Sequence, residues 1–389
     1  MTEPEVQTGS ADGLLGPDAR DEAAGLYVHV PFCSGKCAYC DFFSVTDPAR
    51  TDAWADALLR EASLLGPRFG PFDTLYLGGG TPSLLVPRTL ERVIEGLRRS
   101  VRFLPDTEVT LEVNPEDVAP DRVSAYGGMG VNRVSMGVQS LDEGALRFLG
   151  RRHSAARARR ALDRLLDAGF RTVSVDLIYG IPGQGPDPWL GSLSALLEQG
   201  PQHLSCYELT VSPGTPLGRR VASGRVSLPA EPETAALFLG TSRRLQARGL
   251  VHYEISNFAR PGHESRHNRK YWRRAPYLGL GPGAHSFLHP VRWWNPPCLD
   301  RWIGALERGR PPAEGRERLT PEQETLERLW LGFRTREGVA ADLLDGLTGA
   351  DRIAGELERS GLVTRRGLSL VPTTQGFLVS DSLPLLFAD

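Results

Sequence analysis

From residue 25 onward, short apolar or β-branched runs alternate with amphipathic helical periods, and no other feature restricts the fold as much. The strand segments are Leu26–Val30, Thr74–Leu77, Glu108–Val113, Arg133–Gln139, Thr172–Ile178 and His203–Leu209. Helical periods are clearest over Thr51–Leu65, Pro87–Val101, Ser154–Ala168 and Trp189–Glu198, with Glu233–Arg248 after the sixth strand. Gly169, Gly200 and Gly249 come just after helices, where a left-handed cap is wanted. Such alternation predicts parallel strands in an α/β layer or barrel. The strands themselves choose between the two. Val109, Leu111 and Val113 oppose Thr110, Glu112 and Asn114, and the same split recurs over Val134–Gln139 and Thr172–Leu177. A doubly wound sheet, covered on both faces, reads apolar throughout. One polar face on three successive strands predicts an open or partial barrel with a wet, ligand-holding interior. Its acids and amides lie toward the C-terminal strand ends, where barrel sites collect.

At 389 residues the chain has room for two or three domains of ~150 residues. We expect a disordered acidic tail over 1–24, the barrel over 25–258, a Gly-, Pro- and Trp-rich segment over 259–315, and a small C-terminal α+β domain over 316–389. In the last, Gly361–Leu370 followed by Thr373–Val379 patterns as a hairpin-like element. A net charge of −2 gives no domain-wide basic footprint, so nucleic-acid binding is not expected. No apolar run approaches the ~20 residues of a membrane helix. The tail carries Glu3, Glu5, Asp12, Asp18, Asp21 and Glu22 without an apolar stretch, unlike a signal or Arg-rich transit peptide.

Five cysteines are an odd number, and three of them lie between Cys33 and Cys40. That is poor material for a disulfide framework and good material for metal ligation in a reducing cytoplasm. They sit at spacing Cx3Cx2C in His29-Val-Pro-Phe-Cys33-Ser-Gly-Lys-Cys37-Ala-Tyr-Cys40, directly after the first strand. A structural zinc normally closes with four ligands, and Cys206 and Cys298 are far off in sequence. Three thiolates on a 4Fe–4S cluster leave one iron open for a ligand that is not protein. The spacing favours the cluster. Only Lys36 and Lys270 among the 45 basic residues are lysine, and both fall in segments singled out on other grounds.

The cysteine segment resembles the radical SAM superfamily, in which the open iron binds S-adenosylmethionine and an electron from the cluster cleaves it to a 5′-deoxyadenosyl radical. Tyr27-Val-His-Val-Pro-Phe-Cys33 with Asp41-Phe-Phe43 is similar to one branch, that of oxygen-independent coproporphyrinogen III dehydrogenase and the HemW-type heme chaperone. The resemblance spans roughly residues 25–380 and implies a partial (β/α)6 barrel. Leu77-Gly-Gly-Gly-Thr81-Pro ends the second strand, and its glycines let backbone approach a ligand closely. By the resemblance, Gly79, Gly80 and Thr81 contact the methionine end of the cofactor. Tyr27, Tyr39, Glu112, Gln139, Arg151 and Asp176 match further cofactor positions, and the polar strand face selects Glu112, Gln139 and Asp176 independently. The arginines after Arg151 read as a solvated helix face.

Two places bear on what the cofactor serves. The dehydrogenases carry a further cysteine after the cluster motif, where this chain has Phe42. His267-Asn-Arg-Lys-Tyr-Trp272 resembles the HNxxYW motif of the heme chaperones. An imidazole beside Tyr271 and Trp272 offers iron an axial ligand with flat aromatic surface, and Arg269 and Lys270 offer partners for propionates. His267 is therefore the expected heme ligand, with His263 and His285 as further candidates. The resemblance implies a heme carrier serving acceptor hemoproteins of the respiratory chain. Its alternative is an enzyme that oxidatively decarboxylates porphyrinogen propionates to vinyls. The sequence leaves turnover and oligomeric state open. Cys206 reads as a buried small hydrophobe and Cys298 as a loop thiol.

Overall fold

The structure is a computed structural model and describes residues 23–387. The expected acidic tail lies outside the described residues, apart from Ala23 and Ala24. Along the chain, strands β1 (Ala24–Val30), β2 (Phe72–Gly79), β3 (Phe103–Val113), β4 (Arg133–Gln139), β5 (Thr172–Tyr179) and β6 (His203–Glu208) are joined by helices. Short strands follow: β7 (Val251–Glu254), β8 (Asn257–Ala259), β9 (Tyr277–Leu280), β10 (His285–Leu288), β11 (Val291–Trp294) and β12 (Gly315–Arg318). The chain divides into two compact units. The first takes the chain up to Gly137, then Leu149–Val173 and Arg266–Leu319; the second takes Val138–Phe148, Ser174–Ser265 and the chain from Thr320.

In the first unit β1, β2, β3 and β4 pair in parallel and in sequence order. The helices between them form where the sequence supplies both a stripe and its stops. Thr51–Leu65 buries Trp54, Leu58, Ala62 and Leu65 at helical spacing. Pro87–Ser100 begins on proline, whose missing N–H costs nothing there, and ends on Arg98 and Arg99, which suit the negative end of the helix dipole. The segment over 259–315, without periodicity in the sequence, extends this sheet. β9 pairs in parallel with the other edge of β1, and β10, β11 and β12 continue antiparallel. Each of these strands has four residues, too few for an alternation to stand out.

In the second unit β5 and β6 are parallel, and β8 and β7 add antiparallel beyond β6. Trp189, fully buried on the helix Pro186–Gln199, donates to Thr241 Oγ1 on Glu231–Gln246 at 2.7 Å and locks the two helices. Gly169, Gly200 and Gly249 take the left-handed backbone that their positions after helices asked for. Residues after Thr320 form their own apolar cluster around Leu329, Phe333, Ile353, Leu357 and Phe387. Its hairpin is Val363–Arg366 with Ser369–Pro372, and Thr374–Leu378 is a helix capped by Thr373, not part of a hairpin. The hydroxyl of Thr373 captures the N–H of Gly376, which starts a helix in place of a strand.

The polar strand face is dry for most of its length. Thr110, Ser135 and Ser174 are buried, and partial exposure begins only at Glu112, Gly137 and Asp176.

One buried carboxyl fixes the loop after β9. Glu61, on Thr51–Leu65, accepts from the Gly281 N–H (2.8 Å), Asn295 Nδ2 (2.6 Å) and Trp302 Nε1 (3.0 Å). Burial outweighs these donors and pushes its pKa up from 4.5 to about 8. Between those values the unfolded chain has released the proton and the folded one still holds it, so stability falls as pH rises through the window. Wild-type protein is expected to lose denaturant resistance relative to Glu61→Gln as pH climbs from about 4.5 to about 8. Urea melts across that range check this; a constant difference between the two proteins would contradict it.

Candidate functional site

The cysteine loop leaves β1 and is pinned at both ends. Phe32 bridges Val45, the Cys33 N–H donates to Val45 O (3.0 Å) and the Val45 N–H to Pro31 O (2.7 Å). His29, pointing off β1 two residues after Tyr27, accepts from the Tyr27 hydroxyl at Nδ1 (3.1 Å) and donates from Nε2 to Phe43 O (2.9 Å). Within the loop, Cys33, Cys37 and Cys40 are free thiols, each partly exposed. Burial, together with the neighbouring Cys37 and Cys33, holds the Cys40 thiol above its usual pKa. Thr81 Oγ1 donates to Cys33 Sγ (3.6 Å), and Arg151 Nη1 approaches Cys37 Sγ at 3.7 Å.

The glycines after β2 are demanded by packing. The N–H groups of Gly80 and Thr81 donate to Val30 O and Phe32 O at 2.8 Å, which continues the ladder past the strand. A Cβ on Gly80 would stand 2.7 Å from one of these carbonyl oxygens and 2.8 Å from the other. Gly79, at φ 105°, lies against His29 and donates to Glu112 Oε2 at 3.1 Å. Glu112 Oε1 accepts from the Tyr76 hydroxyl at 2.8 Å. Burial first, and the nearby Glu112 charge second, drive the Tyr27 phenol well above its usual pKa and keep it neutral. Tyr39 is likewise raised by burial, against the pull of Arg151.

Arg151 joins three elements. Its Nη2 donates to Asn114 Oδ1 (2.5 Å) and Gly137 O (2.8 Å) while Nη1 faces Cys37. Its Nε is buried and has no hydrogen-bond partner among the described residues. The arginines that follow, Arg152, Arg157, Arg159 and Arg160, are exposed as a solvated face.

The first unit thus gathers Tyr27, the three cysteines, Tyr39, Gly79, Gly80, Thr81, Glu112 and Arg151 at one end of its parallel strands. Gln139 and Asp176 belong to the second unit. Gln139 has φ 65°, and the Ser140 N–H reaches over it to Val138 O at 2.8 Å. A three-residue turn on a non-glycine residue is strained, and such strain collects at functional positions. Asp176 lies 3.5 Å from the Ser174 hydroxyl, and its charge adds to the burial that raises the Cys206 thiol.

His267 lies at the opposite end of the first unit's strands. The helix Arg266–Trp272 starts on Glu108, which accepts the backbone N–H groups of Arg266 (3.2 Å) and His267 (3.1 Å). Lys270 is held by Asp73 Oδ1 and Ala23 O, both at 2.8 Å. The His267 ring is 1% exposed, with Nδ1 on Thr74 Oγ1 and Nε2 on Tyr271 OH, each at 2.8 Å. Burial, then the Lys270 charge, lowers its pKa to about 3. The ring stacks on Tyr76 at 5.2 Å, so the segment supports the Tyr76–Glu112–Gly79 chain from below. His285 is exposed at the start of β10, its ring stacked on Trp294 at 6.0 Å. Sequence reasoning gave no role to His29, Tyr76 or Asn114. His29 and Asn114 stand two residues from Tyr27 and Glu112, and that period of two was the available signal; Tyr76 had none.

Three free thiols on one pinned loop are the donor set of a 4Fe–4S cluster with an open iron. Among the described residues no three His, Cys, Asp or Glu side chains close around a point as they would for a single metal ion. The spare Nε–H of Arg151 beside the thiols suits a carboxylate.

Residues 27–196 match the family profile of the radical SAM superfamily. The chain is 37% identical to the heme chaperone HemW of Mycobacterium tuberculosis over 92% of this chain and 93% of that one. It is 32% identical to HemW of Bacillus subtilis, with 92% and 97% covered. The mitochondrial radical S-adenosyl methionine domain-containing protein 1 of Mus musculus is 36% identical, with 95% and 88% covered. In structure it is similar to the coproporphyrinogen III oxidase HemN of Escherichia coli, at TM-score 0.81 and 23% identity, with 94% and 90% covered. That likeness carries the α/β fold.

Gly80→Ala is expected to cost about 1–3 kcal/mol, because its methyl would strike two carbonyls that cannot swing aside. A denaturant melt showing unchanged stability would contradict the packing described.

Proposed function

The chain belongs to the radical SAM superfamily, in the family of the HemW heme chaperones, and from that membership we propose that it binds heme and delivers it to acceptor hemoproteins. The observation that carries the reading is similarity from end to end to relatives named as heme chaperones. Phe42, where the dehydrogenases have a further cysteine, supports the carrier over the decarboxylase. We take the acceptors to be hemoproteins of the respiratory chain and the place of action to be the cytoplasm. No helix among the described residues is long and apolar enough to cross a membrane.

In this reading Cys33, Cys37 and Cys40 hold the 4Fe–4S cluster, which when bound supplies one-electron chemistry through the iron the protein leaves open. The pinned loop ends present the thiols with little ordering left to do. Arg151, already fixed by Asn114 and Gly137, offers Nε–H to the carboxylate of S-adenosylmethionine. Gly79, Gly80 and Thr81 bring backbone close to its methionine end. Glu112 accepts from the Gly79 N–H and the Tyr76 hydroxyl, and Tyr27 and Tyr39 remain neutral phenols. Gln139 and Asp176 are assigned to cofactor binding on the resemblance and on their places in the polar strand face. The heme ligand is one of His263, His267 and His285.

Protein reconstituted anaerobically with iron and sulfide is expected to hold one cluster and, after desalting, one heme per chain. Replacing any of the three loop cysteines by alanine should abolish the cluster's absorbance and acid-labile sulfide. A wild-type chain that keeps its cluster and retains no heme would overturn the carrier reading, and turnover of coproporphyrinogen III would replace it.

A further inference from the structure

Asn114, just past the end of β3, joins the two side chains that reach toward the thiols. Its Oδ1 accepts from Arg151 Nη2 at 2.5 Å, and its Nδ2 donates to Thr81 Oγ1 at 3.3 Å. Beyond it on one side, Thr81 Oγ1 donates to Cys33 Sγ at 3.6 Å; on the other, Arg151 Nη1 donates to Cys37 Sγ at 3.7 Å. The amide is therefore the middle of a run from one thiol to another, and the whole run lies in the first unit. Its backbone is fixed separately. The Asn114 N–H donates to Ser83 Oγ at 3.2 Å, and the fully buried Ser83 donates onward to Asp117 Oδ2 at 2.7 Å. Pro115 starts the short turn Pro115–Asp117 that carries this aspartate.

The run has one direction. A guanidinium has only N–H groups to offer, so the oxygen of the Asn114 amide must face Arg151 and the nitrogen must face Thr81. Thr81 Oγ1 accepts that N–H and keeps a single hydrogen of its own, with Cys33 Sγ in reach. Asn114 thus decides where the Thr81 hydrogen goes. A carboxylate of the same shape at this position would reverse the outcome, because it accepts from both neighbours and would draw the Thr81 hydrogen away from the sulfur.

We propose that Asn114 is a positioning residue that aims the Thr81 hydroxyl at Cys33 and Arg151 at Cys37, and so raises the reduction potential of the cluster these thiolates hold. The proposal rests on the reading that the three cysteines bind a 4Fe–4S cluster and goes beyond it by naming what tunes that cluster. Hydrogen bonds to the sulfurs relieve negative charge, which is greater in the reduced state, and partners outside the ligand set tune a metal site in this way.

The test is an anaerobic redox titration of full-length, cluster-reconstituted wild type, Asn114→Asp, Thr81→Val, Thr81→Ser and the double variant Asn114→Asp/Thr81→Val. It is followed by the absorbance of the oxidised cluster and the paramagnetic resonance of the reduced one. Asn114→Asp and Thr81→Val should each disfavour reduction by about tenfold, which is about 59 mV for one electron. Thr81→Ser keeps the hydroxyl and should keep the wild-type potential. In the Thr81→Val background, Asn114→Asp should add clearly less than it does alone, because no hydrogen remains to be turned. Equal shifts in both backgrounds would mean that the added charge acts directly and would overturn the assignment, as would a wild-type potential in Thr81→Val. Wild-type protein that assembles no cluster would sink the cluster reading and this assignment with it, a result seen before any potential is measured.

Discussion

The carboxylate of Glu112 holds the first unit's functional end together. One oxygen takes the N–H of Gly79 and the other the hydroxyl of Tyr76, so β3 fixes both the glycine turn and the aromatic layer beneath it. Tyr76 rests on His267, and His267 is tied to Thr74 at the start of β2. A single chain of contacts therefore runs the length of β2. Above it, Gly80 and Thr81 share a ladder with Val30 and Phe32, and that ladder forms the base of the cysteine loop. Removing the carboxylate would take one acceptor from the part-buried Gly79 N–H and one from the Tyr76 hydroxyl, at about 1 kcal/mol each. The loop that presents the thiols would lose its reference.

The same layering separates two features that adjacency in a motif would merge. The HNxxYW segment lies at the N-terminal end of the strands, and the thiols lie at the C-terminal end. Glu108 starts the helix Arg266–Trp272, and Asp73 with Ala23 O holds Lys270. The segment thus closes the dry end of the polar face and supports Tyr76. Its histidine is neutral because burial forbids the charge, and a neutral imidazole can both accept from one neighbour and donate to the other.

Much of this was legible in the sequence because it rests on local rules. Strand and helix periods gave the parallel core, and the period of two within strands selected Glu112, Gln139 and Asp176. Spacing gave the thiols. What escaped was of two kinds. The four-residue strands β9 to β12 are too short to show a period, so the extension of the sheet beyond β1 was invisible. The partnerships of His267 with Thr74 and of Glu61 with Asn295 and Trp302 join residues far apart in sequence. No local pattern encodes them. The wet interior expected from polar strand faces gives way to burial at Thr110, Ser135 and Ser174, whose small hydroxyl side chains pack into a dry layer.

The central claim is that this radical SAM fold serves to carry heme. The most direct measurement is transfer: heme-loaded, cluster-containing protein is mixed with an apo-hemoprotein and the heme on each is followed after separation. The account predicts stoichiometric passage to the acceptor at a rate above that of free heme. Heme that stays on this chain, or reaches the acceptor no faster than from solution, would contradict it.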